Sequence, residues 1–272
     1  MKILATDLDR TLLPNGSWPA DPEAIPMFNE LTQRHGVTLV YVTGRSLALA
    51  EQAIAEYGIR RPDVLIGDVG TSIHRFAEAG WNAHPGWAAH VRSRSPRWDA
   101  EAARAALQGI DGMVEQEAAH CGPFKQSYYV EHARRAAVLE AVDSAVAGRL
   151  DEVIVYSFDS QSGDGLLDLL PHSATKQTAL EFIAAELGVD KAEVVFCGDS
   201  GNDVYPLTAG FSGVLVRNAD EQLVASVKAA TMRDPALRVY FAAGGSHGLS
   251  GYYTSGVIEG AYHYGLFDDD AG

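Results

Sequence analysis

The sequence predicts an α/β protein: a doubly wound parallel sheet carrying a second, smaller α/β unit inserted into it. Three observations carry this prediction. Short apolar runs at 3–6, 37–42 and 64–66 alternate with segments of helical pattern at 23–34 and 47–57. The runs are apolar at nearly every position, as expected of strands covered on both faces. Around residue 80 the pattern is lost, and it returns near 166 with further strand and helix alternation.

The elements follow in order. Residues 3–6 form a strand that delivers two carboxylates, Asp7 and Asp9, and then Thr11. Pro14-Asn15-Gly16 marks a turn, and Asp21-Pro22-Glu23 has the polar cap and early proline of a helix start. The helix 23–34 stops near Gly36, and the strand 37–42 ends in Thr43-Gly44-Arg45-Ser46. A helix at 47–57 closes on Gly58. The strand 64–66 leads through Gly67-Asp68-Val69-Gly70 into a hairpin candidate at 71–76. Two β-like stretches, 124–130 and 152–157, flank an alanine-rich helix at 134–147, and another helix begins at Asp99. The domain bounds are therefore 1–81 for the first part of the core, 82–165 for the insert and 166–272 for the second part of the core. Gly163-Asp164-Gly165 is the expected return hinge, after which 166–170 reads as a core strand. A helix at 175–187, a strand at 194–197 and a strand at 213–218 complete the core, and a glycine-rich tail at 244–256 ends in a short helix.

Composition narrows the function classes. The 272 residues include 21 Lys and Arg against 36 Asp and Glu, a formal charge of −15. No basic surplus exists to displace counterions, so neither nucleic acid nor an anionic membrane is expected as a partner. A small anionic substrate remains compatible, because a metal ion inverts the sign of one pocket. The two cysteines, Cys121 and Cys197, form neither a disulfide framework nor a zinc pattern. With no leader pattern and no apolar run of membrane-spanning length, the expected setting is the cytoplasm.

Four features fall at predicted carboxyl ends of strands or at a helix start: Asp7 with Asp9, Thr43-Gly44-Arg45, Lys176, and Gly198-Asp199-Ser200-Gly201-Asn202-Asp203. Open α/β sheets bind ligands at that edge. Each feature also has a plain structural reading. The two acids suit a turn, Thr43 competes with Ser46 as a helix cap, and the 198–203 run suits a loop. Lys176 fits a helix start poorly, since a cation there opposes the macrodipole by ~0.3–1 kcal/mol.

The ordered set resembles the haloacid dehalogenase superfamily of phosphotransferases. The match consists of Asp7-x-Asp9-x-Thr11, Thr43, Lys176 and Gly198 to Asp203. An insert between the threonine and the lysine is where the subgroup with a large α/β cap carries it. Within that subgroup the chain resembles the sucrose-phosphate phosphatases, through Thr43-Gly44-Arg45-Ser46, Val69-Gly70-Thr71, Pro123-Phe124-Lys125-Gln126-Ser127-Tyr128, Asp168-Leu169-Leu170-Pro171, Val216-Arg217-Asn218-Ala219 and Ser246-His247. Residues 82–120 match poorly, and Gln177 stands where many relatives have glycine.

The resemblance implies a Rossmann-like hydrolase core and an Mg²⁺-dependent phosphatase. Asp7 would be the nucleophile and Asp9 the general acid and base. Asp7, Asp9 (through its backbone carbonyl) and Asp199 would hold the metal, with Asp203 orienting Lys176 or the ion's water. Thr43, Gly44, Lys176 and Asn202 would bind phosphate. Arg45, Lys125, Tyr128 and His247 are the candidates for substrate contact, although Tyr128 and Tyr129 could simply alternate across a strand and His247 could be a loop histidine. The chemistry calls for cations: at ~4 Å and an effective dielectric of ~20, a phosphate dianion meets about 8 kcal/mol of repulsion from one carboxylate. Sucrose 6-phosphate is the expected substrate. The alternatives are mannosylfructose phosphate, a phosphohexomutase that would use Arg92, Arg94 and Arg97 for a second phosphate, and a non-catalytic domain. A monomer associated with a sucrose-phosphate synthase is the expected assembly. Trp81, Trp87 and Trp98 are expected to pack between cap and core.

Overall fold

The computed structural model describes residues 1–158 and 163–268. Among the described residues, twelve strands are arranged in two sheets. In chain order they are β1 (Ile3–Thr6), β2 (Thr38–Val42), β3 (Val64–Gly67), β4 (Ser72–Ala77), β5 (Gly80–Ala83), β6 (Met113–Glu115), β7 (Gln126–Val130), β8 (Glu152–Phe158), β9 (Gly165–Pro171), β10 (Val194–Gly198), β11 (Ser212–Leu215) and β12 (Val239–Phe241). The larger sheet has the order β12-β11-β10-β1-β2-β3-β4-β5. Its strands run parallel from β12 to β3, and β4 and β5 add an antiparallel hairpin at one edge.

Both faces of this sheet are covered. Alternate residues of β1 point into opposite apolar clusters, Leu4 into one and Ile3 with Ala5 into the other. The first cluster takes Phe28 and Leu31 from the helix Ala24–Arg34, Ala53 and Ile54 from Leu47–Tyr57, and Val257 and Ile258 from Thr254–His263. The second takes Trp87 and Val91 from Trp87–Arg94, Leu180 and Ile183 from Lys176–Glu186, and Leu223 and Val227 from Glu221–Arg233. Helices on both faces of a parallel sheet make the doubly wound core. β1 lies centrally between β10 and β2, so the chain beyond Thr6 emerges at the middle of the carboxyl edge.

The second sheet, β6-β7-β9-β8, is antiparallel. Its outer face packs Tyr128, Val130, Leu167 and Leu169 against Ala103 and Leu107 of one helix and Val138 and Val142 of another. Its other face carries Ser127, Tyr129, Asp168 and Leu166.

Two sequence expectations change here. The run 166–170, expected as a core strand, lies in β9 and pairs with β7 and β8 in the smaller sheet. An apolar run records burial but not which sheet it joins. The return to the core therefore follows Pro171, and Gly165 opens a strand instead of forming a hinge. At the other end, residues 82–98 do not join the smaller sheet. β5 extends the larger sheet to Ala83, and Trp87 and Val91 lie in the core cluster. Trp98 packs at the edges of both the core and the cap clusters, and its indole donates to Pro123 O at 2.9 Å. Trp81 is partly buried against the core and donates to Glu51. The helix Glu221–Arg233 and strand β12 fill a stretch to which the sequence pattern assigns no element. Both cysteines are free thiols, and among the described residues no helix is long and apolar enough to cross a membrane.

Candidate active site between the core and the cap

The carboxyl edge of the core gathers three buried acids around one buried lysine. Asp7 follows β1, with its backbone N–H donating to Cys197 O of β10 at 3.0 Å. Asp199 and Asp203 follow β10 and are 1% and 0% exposed. One oxygen from each of the three carboxylates lies within 4.8 Å of the others. Lys176, 1% exposed, reaches Asp203 Oδ1 and Asn202 Oδ1 at 2.9 Å and Asp7 Oδ1 at 3.1 Å.

Two glycines allow this convergence. Gly70, at φ 107°, lies so close to the start of the lysine helix that a Cβ would fall 2.2 Å from the Thr175 carbonyl carbon and 2.5 Å from Lys176 N. A Cβ on Gly198 would sit 2.6 Å from Asp203 Cγ. The lysine helix itself is set by Thr175, whose side chain and that of Thr178 cap each other's backbone N–H groups. The cost of placing a cation at a helix start is offset by the two acids and by Asn202.

Electrostatics follow from burial and crowding. Burial pushes the Asp7 carboxyl up to about 7, with Lys176 opposing and Asp203 and Asp9 adding to the rise. Burial and the charge of Asp203 likewise push Asp199 well above the usual carboxylate range. Burial disfavours the Lys176 ammonium, but Asp203 and Asp7 outweigh it and hold the charged form. Two ionised carboxylates at such separations repel by about 3–4 kcal/mol at an effective dielectric of ~20. The cluster is thus short of positive charge.

The atom that tests whether a metal fits is Asp199 Oδ2. Asp199 Oδ1 accepts from Thr11 Oγ1 at 2.9 Å, whereas the buried Oδ2 accepts no hydrogen bond and faces the Arg10 guanidinium as an ion pair at 3.1 Å. A buried, oxygen-only acidic set with an open lone pair suits a hard divalent cation. Asp203 is more committed, since Oδ1 accepts from Lys176 and Oδ2 from the Asp199 and Ser200 amides.

The side chain of Asp9 lies outside the three-acid cluster. It is held by Arg45, with Nε to Oδ2 at 2.8 Å and Nη2 to Oδ1 at 2.6 Å, and by Asn15 Nδ2 at 2.6 Å. Burial would raise its pKa, but the Arg45 fork and Asn15 prevail and hold it below the usual range. Thr43 is fully buried, and its Oγ1 accepts from Arg45 N at 3.2 Å. Its carbonyl accepts from Val69, which is held at φ 61°, a strained conformation for a β-branched residue.

Over this edge the cap encloses a cavity of about 450 Å³. Its floor includes Asp7, Asp9, Arg10, Gly44, Arg45, Asp199 and Asn202. Its roof includes Gln116, His120, Lys125, Tyr129, Ser157 and Asp168. Lys125 Nζ lies 3.9 Å from Asp168 Oδ1, which also accepts from Ser127 Oγ at 2.5 Å.

Two sequence candidates lie elsewhere. Tyr128 faces the cap's own apolar core, because residues alternate along β7 and its neighbour Tyr129 takes the cavity side. His247 stacks on Tyr262 with centroids 4.0 Å apart and does not line the cavity. Nor do Arg92, Arg94 and Arg97; Arg97 is paired with Asp151 instead. The cavity adds Arg10, Asn15, Gln116, His120 and Asp168 to the sequence candidates. Asp168 carried a signal, as an acid inside an apolar run. Arg10, between Asp9 and Thr11, carries none in the sequence pattern.

The family model for sucrose-6F-phosphate phosphohydrolase matches residues 1–265. The chain belongs to this family. The phosphohydrolase family fits the geometry, and the Asp7, Asp199 and Asp203 cluster is typical of its superfamily's Mg²⁺ site. The chain is an Mg²⁺-dependent phosphatase of the haloacid dehalogenase type, acting on a sugar phosphate. Among relatives, a HAD-like hydrolase of Nitrosococcus oceani is 36% identical over 96% of this chain and 71% of its own length. The mannosylfructose-phosphate phosphatase of Agrobacterium fabrum is 28% identical over 98% of both chains. The solved sucrose-phosphatase of Synechocystis sp., in complex with sucrose and phosphate, superposes with a TM-score of 0.79 at 25% identity over 97% of both chains.

Proposed function

We propose that this phosphohydrolase converts sucrose 6-phosphate to sucrose and phosphate. The observation that carries the reading is the cavity itself, which sets the buried carboxylates Asp7 and Asp199 on the floor, with Lys176 behind them 3.1 Å from Asp7, and polar cap side chains on the roof. Its volume falls within the ~300–1,000 Å³ of small-molecule sites. The floor suits a phosphate and the roof a polyhydroxylated leaving group.

In this reading Asp7 attacks phosphorus as the bond to the sugar oxygen breaks, and Asp9 supplies the proton that the departing oxygen takes. Water then attacks the aspartyl-phosphate, Asp9 accepts its proton, and phosphate leaves with Asp7 restored. Lys176 stays protonated between Asp7 and Asp203 and neutralises the nucleophile. Thr43, the Gly44 amide and Asn202 orient the phosphate. Asp7, the Asp9 backbone carbonyl and Asp199 would hold Mg²⁺, which supplies charge neutralisation and polarises the phosphoryl group. Arg45 holds Asp9 as the carboxylate needed for the second step. A phosphate dianion offers that guanidinium another partner, freeing Asp9 to carry a proton in the first. Lys125, Asp168, Gln116 and His120 read the sugar.

Phosphate release from a panel of sugar phosphates, with and without Mg²⁺, tests this. Sucrose 6-phosphate is expected to give the highest kcat/KM and to require the metal. Preference for mannosylfructose phosphate would favour the second reading, supported by the end-to-end match to the Agrobacterium enzyme. A mutase has less support, because the arginines it would need lie outside the cavity. The reading extends to a cytoplasmic monomer working beside the synthase that makes its substrate; sedimentation alone and with that synthase tests both parts.

A further inference from the structure

Arg10, the residue that follows the second acid of the first motif, has no part in the mechanism above, yet it stands at the metal cluster. Arg10 adopts φ 58°, a left-handed conformation that an L residue with a long side chain rarely takes. The surroundings fix it there. Its N–H donates to Asn15 Oδ1 at 2.8 Å, and its carbonyl accepts from Asn218 Nδ2 at 2.6 Å. Asn218 is held in turn by the Tyr253 amide at 2.9 Å. A conformation maintained from both sides against its local cost places the side chain. Arg10 Nη2 lies 3.1 Å from Asp199 Oδ2 and 2.6 Å from Asp220 Oδ1.

Asp199 Oδ2 is also the buried oxygen that accepts no hydrogen bond, and so the one most available to a divalent ion. A guanidinium and Mg²⁺ at the same oxygen repel each other strongly in a buried site. One of them must yield. Asp220, whose side chain is 36% exposed, offers Arg10 a second anchor away from the cluster.

We propose that Arg10 competes with Mg²⁺ for Asp199 Oδ2, and that Asp220 sets how readily the guanidinium gives up that oxygen. Arg10 thereby neutralises the cluster while it lacks metal and tunes the affinity with which it takes the ion. The inference rests on the reading of the three-acid cluster as the Mg²⁺ site. It makes Arg10 and Asp220 opposing members of one device: removing the first tightens Mg²⁺ binding, and removing the second loosens it.

Calorimetric titration of Mg²⁺ into the full chain, stripped with chelator and without substrate, tests this without reference to turnover. Arg10→Gln is expected to lower the Kd by about tenfold, the direction set by relief of like-charge repulsion. Asp220→Asn is expected to raise it severalfold, and the double variant to match Arg10→Gln alone. Should Arg10→Gln fold poorly, Arg10→Lys keeps the charge without the planar fork and is expected to give a Kd between those of wild type and Arg10-deficient protein. An unchanged or raised Kd in Arg10→Gln would overturn the competition. An Asp220→Asn effect of equal size with and without Arg10 would overturn the part given to Asp220. Wild-type chain that takes up no Mg²⁺ would instead overturn the reading of the cluster.

Discussion

The carboxyl edge of the core and the inner face of the cap line one cavity but are built on opposite principles. The core edge is buried, rigid and crowded with charge: Asp7, Lys176, Asp199 and Asp203 are all at most 4% exposed. Its side chains grip one another directly. On the cap face, Lys125 and Asp168 are only loosely paired at 3.9 Å, and polar groups from three strands and a loop present themselves to open space. The difference separates two tasks. A common reaction needs a fixed constellation, since misplacement by ~1 Å can cost ~10²-fold in rate. Recognition of one sugar among many needs donors and acceptors that are left unspent until the ligand arrives.

Substitutions can break this comparison, beginning with the largest effect. Asp7→Asn is expected to lower phosphate release by at least ~10³-fold with the far-ultraviolet circular dichroism unchanged. Retention of most activity would remove Asp7 as nucleophile. Lys176→Met leaves Asp7 and Asp203 facing each other without their shared cation, and stability in metal-free buffer should fall by ~3–5 kcal/mol. Urea unfolding measures it, and a loss under ~1 kcal/mol would show that the cluster relaxes more easily than its burial implies.

The junction of the two regions gives a graded test. A Cβ on Gly201, in the loop between Asp199 and Asp203, would lie 3.0 Å from the Tyr156 carbonyl of the cap strand β8. Gly201→Ala and Gly201→Val should hold the cap progressively further from the core. For Val, kcat/KM on the sugar phosphate is expected to fall by ~10-fold or more, with hydrolysis of p-nitrophenyl phosphate changed far less. Equal losses on both substrates would place the damage in the core loop itself.

Within the cap, Lys125→Ala and Asp168→Asn should each raise KM by ~5–30-fold, the size of one or two hydrogen bonds, with kcat less affected. Tyr128→Phe is the smallest change. Its hydroxyl is buried without a partner on the far side of the cap sheet, so KM should stay constant and stability should change by less than ~1 kcal/mol. A raised KM in Tyr128→Phe would mean that β7 turns its other face to the sugar.

These same residues mark what the sequence could reveal. Asp7, Thr43, Lys176 and Asp199 each follow a strand or open a helix, and local pattern locates strand ends well. A parallel sheet then brings all of them to one edge, whatever the detailed packing. The cap followed no such rule. Its cavity residues come from Gln116, His120, Lys125, Ser157 and Asp168, which alignment of antiparallel strands brings together across about fifty residues. Tyr128, the sequence candidate, packs in the cap's apolar cluster while Tyr129 lines the cavity, because a step of one residue in a strand reverses the face.

By itself, then, the sequence determined the doubly wound core, the presence of an insert and the acids and lysine at the sheet edge. Alternation of apolar runs and the positions of strand ends are local properties, and they follow from backbone geometry. Tertiary structure alone decided that 165–171 belongs to the cap sheet, that His247 stacks away from the cavity, and that Arg10 sits between Asp199 and Asp220. Those outcomes depend on pairings between distant segments, whose energies are summed only when the whole chain has packed.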